Sequence, residues 1–195
     1  EATAEWSGVP VRLALAQDTR AAGTQALAEP RGGSTHRPQA WALGVTVACE
    51  SPTEFALKLR LPEWLSGPAL VRVNDGAPSA PQPDRGFATI RRTWSSDTVT
   101  LELPKTVSVA PIPDEPGTVA FLDGPVVLAG LCDREVALEC DAADPASVLV
   151  ADNEREWILW HGGYRTVGQR EAIRFRPLFE VVDEPYTLYF PVRTR

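Results

Sequence analysis

Aromatic and imidazole side chains cluster around two glycines in the segment Trp157-Ile-Leu-Trp160-His161-Gly-Gly-Tyr164. Flat rings that carry a polar group can stack on the C–H face of a pyranose and hydrogen-bond at its edge. We therefore predict Trp160, His161 and Tyr164 as sugar-binding residues. The alternative is a hairpin whose tryptophans pack inward while Gly162-Gly163 forms the turn.

Hydrolytic chemistry would need residues that this chain supplies poorly. Only two histidines are present, and His36 lies in a glycine- and proline-rich segment, so a Ser-His-Asp arrangement has few candidate partners. Glycoside hydrolysis needs two carboxylates about 5–10 Å apart, a separation that a sequence does not reveal. Asp123, Asp183 and Glu184 stand beside predicted strands and turns, where solvated or turn-forming carboxylates are common. We predict no catalytic residue in the chain.

Three cysteines are present: Cys49, Cys132 and Cys140. An odd number without a C-x-x-C pair is a poor basis for a disulfide framework or a zinc site. Cys49 shares the parity of apolar residues in its strand, which predicts a small side chain facing the core. We expect free thiols, and no metal or cofactor site in this chain.

Composition excludes several classes of partner. Of the 195 residues, 44% are hydrophobic and 23% are charged, as in ordinary globular proteins. The net charge of −7 argues against binding to nucleic acid or to anionic membranes. No apolar run approaches the roughly 20 residues that span a bilayer, and the N-terminus does not resemble a signal peptide, so the compartment stays open. Methionine is absent, even at position 1, and we expect a fragment of a longer protein.

Alternation of apolar and polar residues predicts β-structure. Phe55, Leu57, Leu59 and Leu61 alternate with small or charged residues, which places all four on one face of a strand. Turns are predicted at Ser51-Pro52 and within 95–97. Strands of the first half are predicted at 9–15, 41–49, 55–61, 70–73, 86–94 and 98–104, and those of the second half at 119–121, 125–130, 157–160, 173–175, 178–182 and 186–190.

Short strands joined in this way predict an all-β fold of β-sandwich-type antiparallel sheets. Three prolines in the segment 110–117 indicate a stiff connector between two small modules. We therefore predict one β-sandwich module over 1–109, a Pro-rich connector at 110–112 and a second, sandwich-like module over 113–195.

Taken in order, the strand sequences resemble the C-terminal portion of the beta-L-arabinofuranosidase family, glycoside hydrolase family 127. The resemblance covers most of 54–130 and again 174–191. The sequences that carry it are Phe55-Ala-Leu-Lys-Leu-Arg-Leu-Pro-Glu-Trp64, Val71-Arg-Val-Asn74, Gly86-Phe-Ala-Thr-Ile-Arg-Arg-Thr-Trp94, Asp97-Thr-Val-Thr-Leu-Glu-Leu-Pro104, Val119-Ala-Phe-Leu-Asp-Gly-Pro-Val-Val-Leu-Ala-Gly130 and the segment from Phe175 to Phe190.

The resemblance implies an upstream α-helical barrel that carries the active site, followed by β-sandwich domains. In that family the nucleophile is thought to be a cysteine at a zinc site in the barrel. The three cysteines of this chain have no neighbouring cysteine, so no catalytic residue is carried over, and zinc is expected only in the missing catalytic domain.

The expected function is therefore that of a non-catalytic accessory β-domain of a glycoside hydrolase acting on arabinofuranosides or related glycans. Such a domain would pack against its own upstream barrel and would expose an apolar patch on the order of several hundred Å². Two alternatives stay open: a carbohydrate-binding module, and an interaction or adhesion sandwich unrelated to sugars.

Overall fold

The computed structural model describes residues 1–17, 40–152 and 163–194. Within these ranges the chain forms strands and two short 3₁₀ turns, Pro145–Val148 and Leu178–Glu180, with no α-helix, so the predicted all-β class is confirmed. The strands are β1 Ala2–Trp6, β2 Val9–Gln17, β3 Ala40–Arg60, β4 Leu70–Val73, β5 Phe87–Pro104, β6 Val107–Ile112, β7 Glu115–Asp123, β8 Val126–Gly130, β9 Leu138–Cys140, β10 Leu149–Ala151, β11 Tyr164–Thr166, β12 Arg174–Pro177 and β13 Tyr189–Thr194.

The described residues fall into two compact units, one ending at Lys105 and the other beginning at Thr106. Residues 110–112, predicted to be a connector, lie instead in β6, which pairs with β7. Proline is tolerated there because β6 pairs only with β7 in the described part of the chain. On such an edge strand, the N–H group that proline lacks is not needed for a hydrogen bond to a second strand. The predicted strand 178–182 is also wrong, since Leu178–Glu180 forms a 3₁₀ turn.

The first unit is a sheet of order β1-β2-β3-β5-β4, and the pairing of β3 with β5 is its longest. The turns predicted at Ser51-Pro52 and at 95–97 are wrong, because both segments lie inside these two strands. A register shift occurs between Ala48 and Thr53, whose partners are Ser96 and Trp94. Polar residues and a proline therefore mark a β-bulge here, not chain reversals.

The bulge changes which residues of β5 face the core. Val99, Leu101 and Leu103 are buried on one side of it, while Ala88 and Trp94 are buried on the other, so the buried parity switches from odd to even. On β3 the buried residues on either side of the same point keep odd parity, with Val45 and Val47 before it and Phe55 and Leu57 after it. Because a shift of one residue turns every side chain to the opposite face, the bulge is what keeps both halves of β5 packed on one core.

Asp97 lies at this bulge with only 5% of its surface exposed. Its Oδ1 accepts a hydrogen bond from Nδ2 of Asn74 at 2.8 Å and is 3.3 Å from Nη2 of Arg92, and its Oδ2 accepts one from the N–H of Ser95 at 2.9 Å. The backbone N–H of Ser95, followed by Asn74, lowers the pKa of Asp97 below its usual range. A buried carboxylate is stable only with such partners, and these ones join the bulge to the turn after β4.

The second unit is a sheet of order β10-β11-β12-β8-β7-β13-β9, in which β7 also pairs with β6. All its pairings are antiparallel except that of β13 with β9. Its core is built around three fully buried rings, Phe121, Phe175 and Phe190, with centroid separations of 5.0–6.2 Å. Gly130 faces these rings: a Cβ atom there would lie 2.3 Å from Cζ of Phe190 and 3.0 Å from Cζ of Phe175.

Replacement of Asp97 by asparagine keeps the shape of the side chain and removes its charge. We expect D97N to lower the free energy of unfolding at pH 7 by about 1.5–3 kcal/mol, the usual contribution of hydrogen bonds to a charged group. A carboxyl group whose pKa is lowered by folding stabilises the protein above its unfolded pKa of about 3.9, and this stabilisation is lost as the pH falls through the folded value. Urea unfolding at pH 7 and pH 3 should show the difference between the two proteins shrinking at pH 3. The exposed Asp75, changed to asparagine, is the matched control, and an equal difference at both pH values would contradict the interpretation.

The packing at Gly130 gives a second prediction. Gly130→Ala should lower the free energy of unfolding by about 1–3 kcal/mol, because the rings that would have to move are themselves fully buried. Gly117→Ala is the control, since a Cβ atom at Gly117 would meet no atom within 4 Å. Urea unfolding of both variants should separate them clearly. Equal stability of the two would show that the phenylalanine cluster is loosely packed.

Candidate functional site

The predicted sugar-binding residues are only partly described by the structure. Trp160 and His161 lie outside the described residues. Tyr164 lies in β11, where it is the cross-strand partner of Phe175 and is 5% exposed within the second core. A buried ring offers no face to a sugar, so the position of Tyr164 does not favour a binding platform. The assignment of sugar binding to these three residues stays a prediction.

Two arginines, one from β11 and one from β12, stand side by side on adjacent strands. Arg165 and Arg174 are direct cross-strand partners, an arrangement that is unfavourable for like charges. Asp152 compensates for it: its Oδ1 is 3.9 Å from Nε of Arg165 and its Oδ2 is 3.3 Å from Nε of Arg174. This group balances charge on the sheet and holds the end of β10 to its neighbours. The register alone reveals it, so sequence reasoning could not have found it.

A cavity of about 400 Å³ opens in the second unit between β9, β13 and the first 3₁₀ turn. Glu139, Cys140, Val148 and Thr194 are among the residues that line it. Beside it, Oε1 of Gln169 accepts a hydrogen bond from the N–H of Glu139, and its Nε2 donates one to the carbonyl oxygen of the same residue. The side chain thus takes the place of a neighbouring strand. The described lining residues include no histidine that could act as a base for the Cys140 thiol.

The cysteines behave as structural residues in the part of the chain that is described. All three are free thiols, as predicted. Burial raises the pKa of Cys49, with a smaller contribution from Asp97, and burial is also the main cause that raises the pKa of Cys132. A raised pKa leaves less thiolate at neutral pH, the opposite of what a nucleophile or zinc ligand needs. Among the described residues no group of three or more His, Cys, Asp or Glu side chains could hold a metal ion.

Large apolar side chains are exposed in one segment that sequence reasoning did not single out. Phe179, Val182 and Tyr186 lie between β12 and β13 and are 75%, 83% and 49% exposed. We refer to the segment 178–187, which carries these three residues, as the apolar loop. The sequence of this segment gave no sign of exposure, because its apolar residues resemble those of an ordinary strand. Only the structure shows that Leu178–Glu180 forms a 3₁₀ turn outside the sheet.

In the described part of the chain, no helix has the length and apolar character needed to cross a membrane.

Comparison with known sequences identifies the first unit. Residues 33–105 match the sequence model of the family described as beta-L-arabinofuranosidase, GH127 middle domain. No curated protein shows significant sequence similarity to the chain. The C-terminal position suggested by the strand sequences is not tested by this match and stays a prediction.

Solved structures extend the likeness to both units. A GH127 beta-L-arabinofuranosidase from Geobacillus stearothermophilus T6 matches 98% of this chain with a TM-score of 0.60 and 21% identity. A second protein, described as a glycoside hydrolase, matches 97% of this chain with a TM-score of 0.56 and 18% sequence identity. A GH127 beta-arabinofuranosidase matches 98% of this chain with a TM-score of 0.59 and 14% sequence identity. At these identities the likeness concerns the fold.

The chain spans only about a third of each of these proteins, 32%, 35% and 33% of their lengths. The match over β3, β4 and β5 coincides with the strand sequences that carried the resemblance, from Phe55 to Pro104. The resemblance is therefore confirmed for this part of the molecule, where residues 33–105 match the model of the GH127 middle domain.

Proposed function

We propose that this chain is the non-catalytic accessory β-region of a glycoside hydrolase that acts on arabinofuranosides or related glycans. In this proposal it follows a helical-barrel catalytic domain and packs against it. The match of residues 33–105 to the GH127 middle domain is the observation that carries the proposal. The length of the matching proteins, about three times that of this chain, supports the view that other domains complete the enzyme.

The described carboxylates support a non-catalytic role. A general acid in glycoside hydrolysis needs a raised pKa so that it keeps its proton at neutral pH. Glu184 has the opposite environment: its own backbone N–H and that of Val182 lower the pKa, and Arg176 contributes further. Its Oε1 accepts a hydrogen bond from Nη1 of Arg176 at 2.9 Å. Asp97, the most buried aspartate of the described residues, also has a lowered pKa and serves the bulge of the first sheet.

The two cores support a role as a scaffold. Each unit has its own buried cluster, one around Trp94 and one around the three phenylalanines. Nε1 of Trp94 donates a hydrogen bond to the carbonyl oxygen of Phe55 at 3.0 Å, so even the largest buried side chain is fully paired. Such well-ordered sheets can hold loops and partner surfaces in a fixed geometry without taking part in chemistry.

Enzyme assays on two proteins test the proposal. With an aryl arabinofuranoside as substrate, we expect turnover by the full-length gene product and none by the 195-residue chain. Substitution of Glu184 or Asp183 by the corresponding amide should leave the turnover number of the full-length enzyme within about threefold, because neither carboxylate is assigned to the reaction. Turnover by the chain alone that is abolished by one of these substitutions would overturn the proposal.

Calorimetry separates the scaffold role from that of a carbohydrate-binding module. Isothermal titration of the chain with arabinan oligosaccharides at millimolar concentration should give no heat of binding. A saturable heat that disappears in Trp160→Ala would instead establish the predicted sugar-binding residues and a binding-module function.

A further inference from the structure

The apolar loop is unusual because its exposed side chains stand together on one short segment. Phe179 and Val182 are more exposed than any other large apolar side chain of the described residues, and Tyr186 follows four residues later. Single exposed apolar residues are normal, but a cluster of them marks an interaction surface. In the described part of the first unit the exposed large apolar residues are Trp6 and Leu15, and Trp6 already packs against Phe55 with a centroid separation of 6.1 Å.

Hydrogen bonds hold the apolar loop in place although its side chains are exposed. Glu184 accepts one bond from Nη1 of Arg176 and, on its other oxygen, one from the N–H of Val182 at 3.3 Å. The N–H of Val181 donates to the carbonyl oxygen of Leu178. Thr187 and Gly130 exchange two backbone hydrogen bonds at 2.9 and 3.0 Å, which fasten the end of the loop to β8. A segment ordered in this way loses little conformational entropy when a partner covers it.

Charge indicates what kind of partner fits. Residues 1–105 hold 11 basic and 11 acidic side chains, whereas residues 106–195 hold 8 basic and 15 acidic ones, so the whole net charge of −7 comes from the second half. Glu180 and Asp183 flank the exposed residues within the loop itself. A complementary surface would be apolar at its centre and basic at its rim, because like charges placed opposite each other oppose association.

We propose that the apolar loop is the surface by which this chain docks onto the rest of its own longer polypeptide. This inference rests on the proposed function, since it names the surface that the accessory region would use. The matching proteins contain about twice as much additional chain as this one supplies, enough to cover such a patch. Phe179 and Val182 then form the apolar centre of the contact, and Glu180 and Asp183 meet basic side chains at its rim.

Hydroxyl-radical footprinting with mass spectrometry tests the inference on the intact protein. The oxidation rates of Phe179 and Tyr186 are measured in the 195-residue chain and in the full-length gene product. Burial at the centre of an interface should lower both rates roughly fivefold or more in the full-length protein. Leu15, 63% exposed in the first unit, is the reference side chain and should keep its rate. Unchanged rates at Phe179 and Tyr186 would overturn the inference.

A pair of substitutions gives an independent readout. In the full-length protein, Phe179→Ser combined with Val182→Ser should lower the midpoint of thermal unfolding, whereas Leu15→Ser should not. The isolated chain carrying the double substitution should unfold at nearly the same temperature as the parent chain, because these side chains are exposed there. Equal effects of the double and the control substitution in the full-length protein would overturn the inference.

The two proposals can fail separately. If the full-length protein hydrolyses the arabinofuranoside while Phe179 and Tyr186 keep their oxidation rates, the accessory function stands and the docking surface lies elsewhere. If the chain alone turns over the substrate, the accessory function itself is wrong, whatever the footprint shows.

Discussion

The buried carboxylate of Asp97 is the interaction on which the first unit depends. Strands β3 and β5 run beside each other from Ala40 to Arg60, and a pairing of that length can keep one face buried only if its twist and register are corrected along the way. The bulge opposite Ser95 makes this correction. It leaves backbone groups without ladder partners, and the carboxylate of Asp97 accepts the N–H of Ser95 while it also binds Asn74 and Arg92. A single side chain therefore satisfies a backbone N–H of the bulge and links the point where the parity of β5 changes to Asn74 and Arg92.

Trp94 shows how the polar and apolar parts of this site support each other. Its ring is fully buried and stacks on Phe55 with a centroid separation of 5.7 Å, and the guanidinium of Arg92 lies 5.3 Å from the indole centroid. The same guanidinium reaches Asp97. The largest side chain of the first core is thus held between a phenylalanine and a charge pair. In the described part of the second unit, three phenylalanines pack at tilted or edge-on angles, and the missing side chain of Gly130 leaves the space that they need.

Sequence alone predicted the class of fold and much of the strand inventory, because a period of two is a local property. The alternation of Val99, Leu101 and Leu103 and that of Ala88 and Trp94 were both visible, and each is buried as expected. What could not be predicted was that the two runs belong to one strand, since polar residues at a bulge look the same as those of a turn. The strand predicted over 178–182 was wrong for a different reason. The segment has the apolar residues of a strand, but Phe179 and Val182 are exposed because no other part of the described structure covers them. The contact of Asp152 with two arginines depends on the register of three strands, which no local pattern contains.

The candidate functional features follow the same division between local and long-range information. The sequences of β3, β4 and β5 were enough to indicate the family, and these strands fall within the residues that match its middle-domain model. The predicted sugar-binding residues rested on composition, and the one that is described, Tyr164, is part of the second core. Exposure, by contrast, depends on the whole fold, and only the structure shows that Phe179 and Val182 are exposed. The lowered pKa values of Asp97 and Glu184 favour their ionised forms, and the raised pKa values of Cys49 and Cys132 favour the neutral thiols. None of these groups accounts for the apolar surface on an ordered loop. Exposed apolar side chains lower solubility and add nothing to either core, which is why the proposed docking surface is placed at this loop.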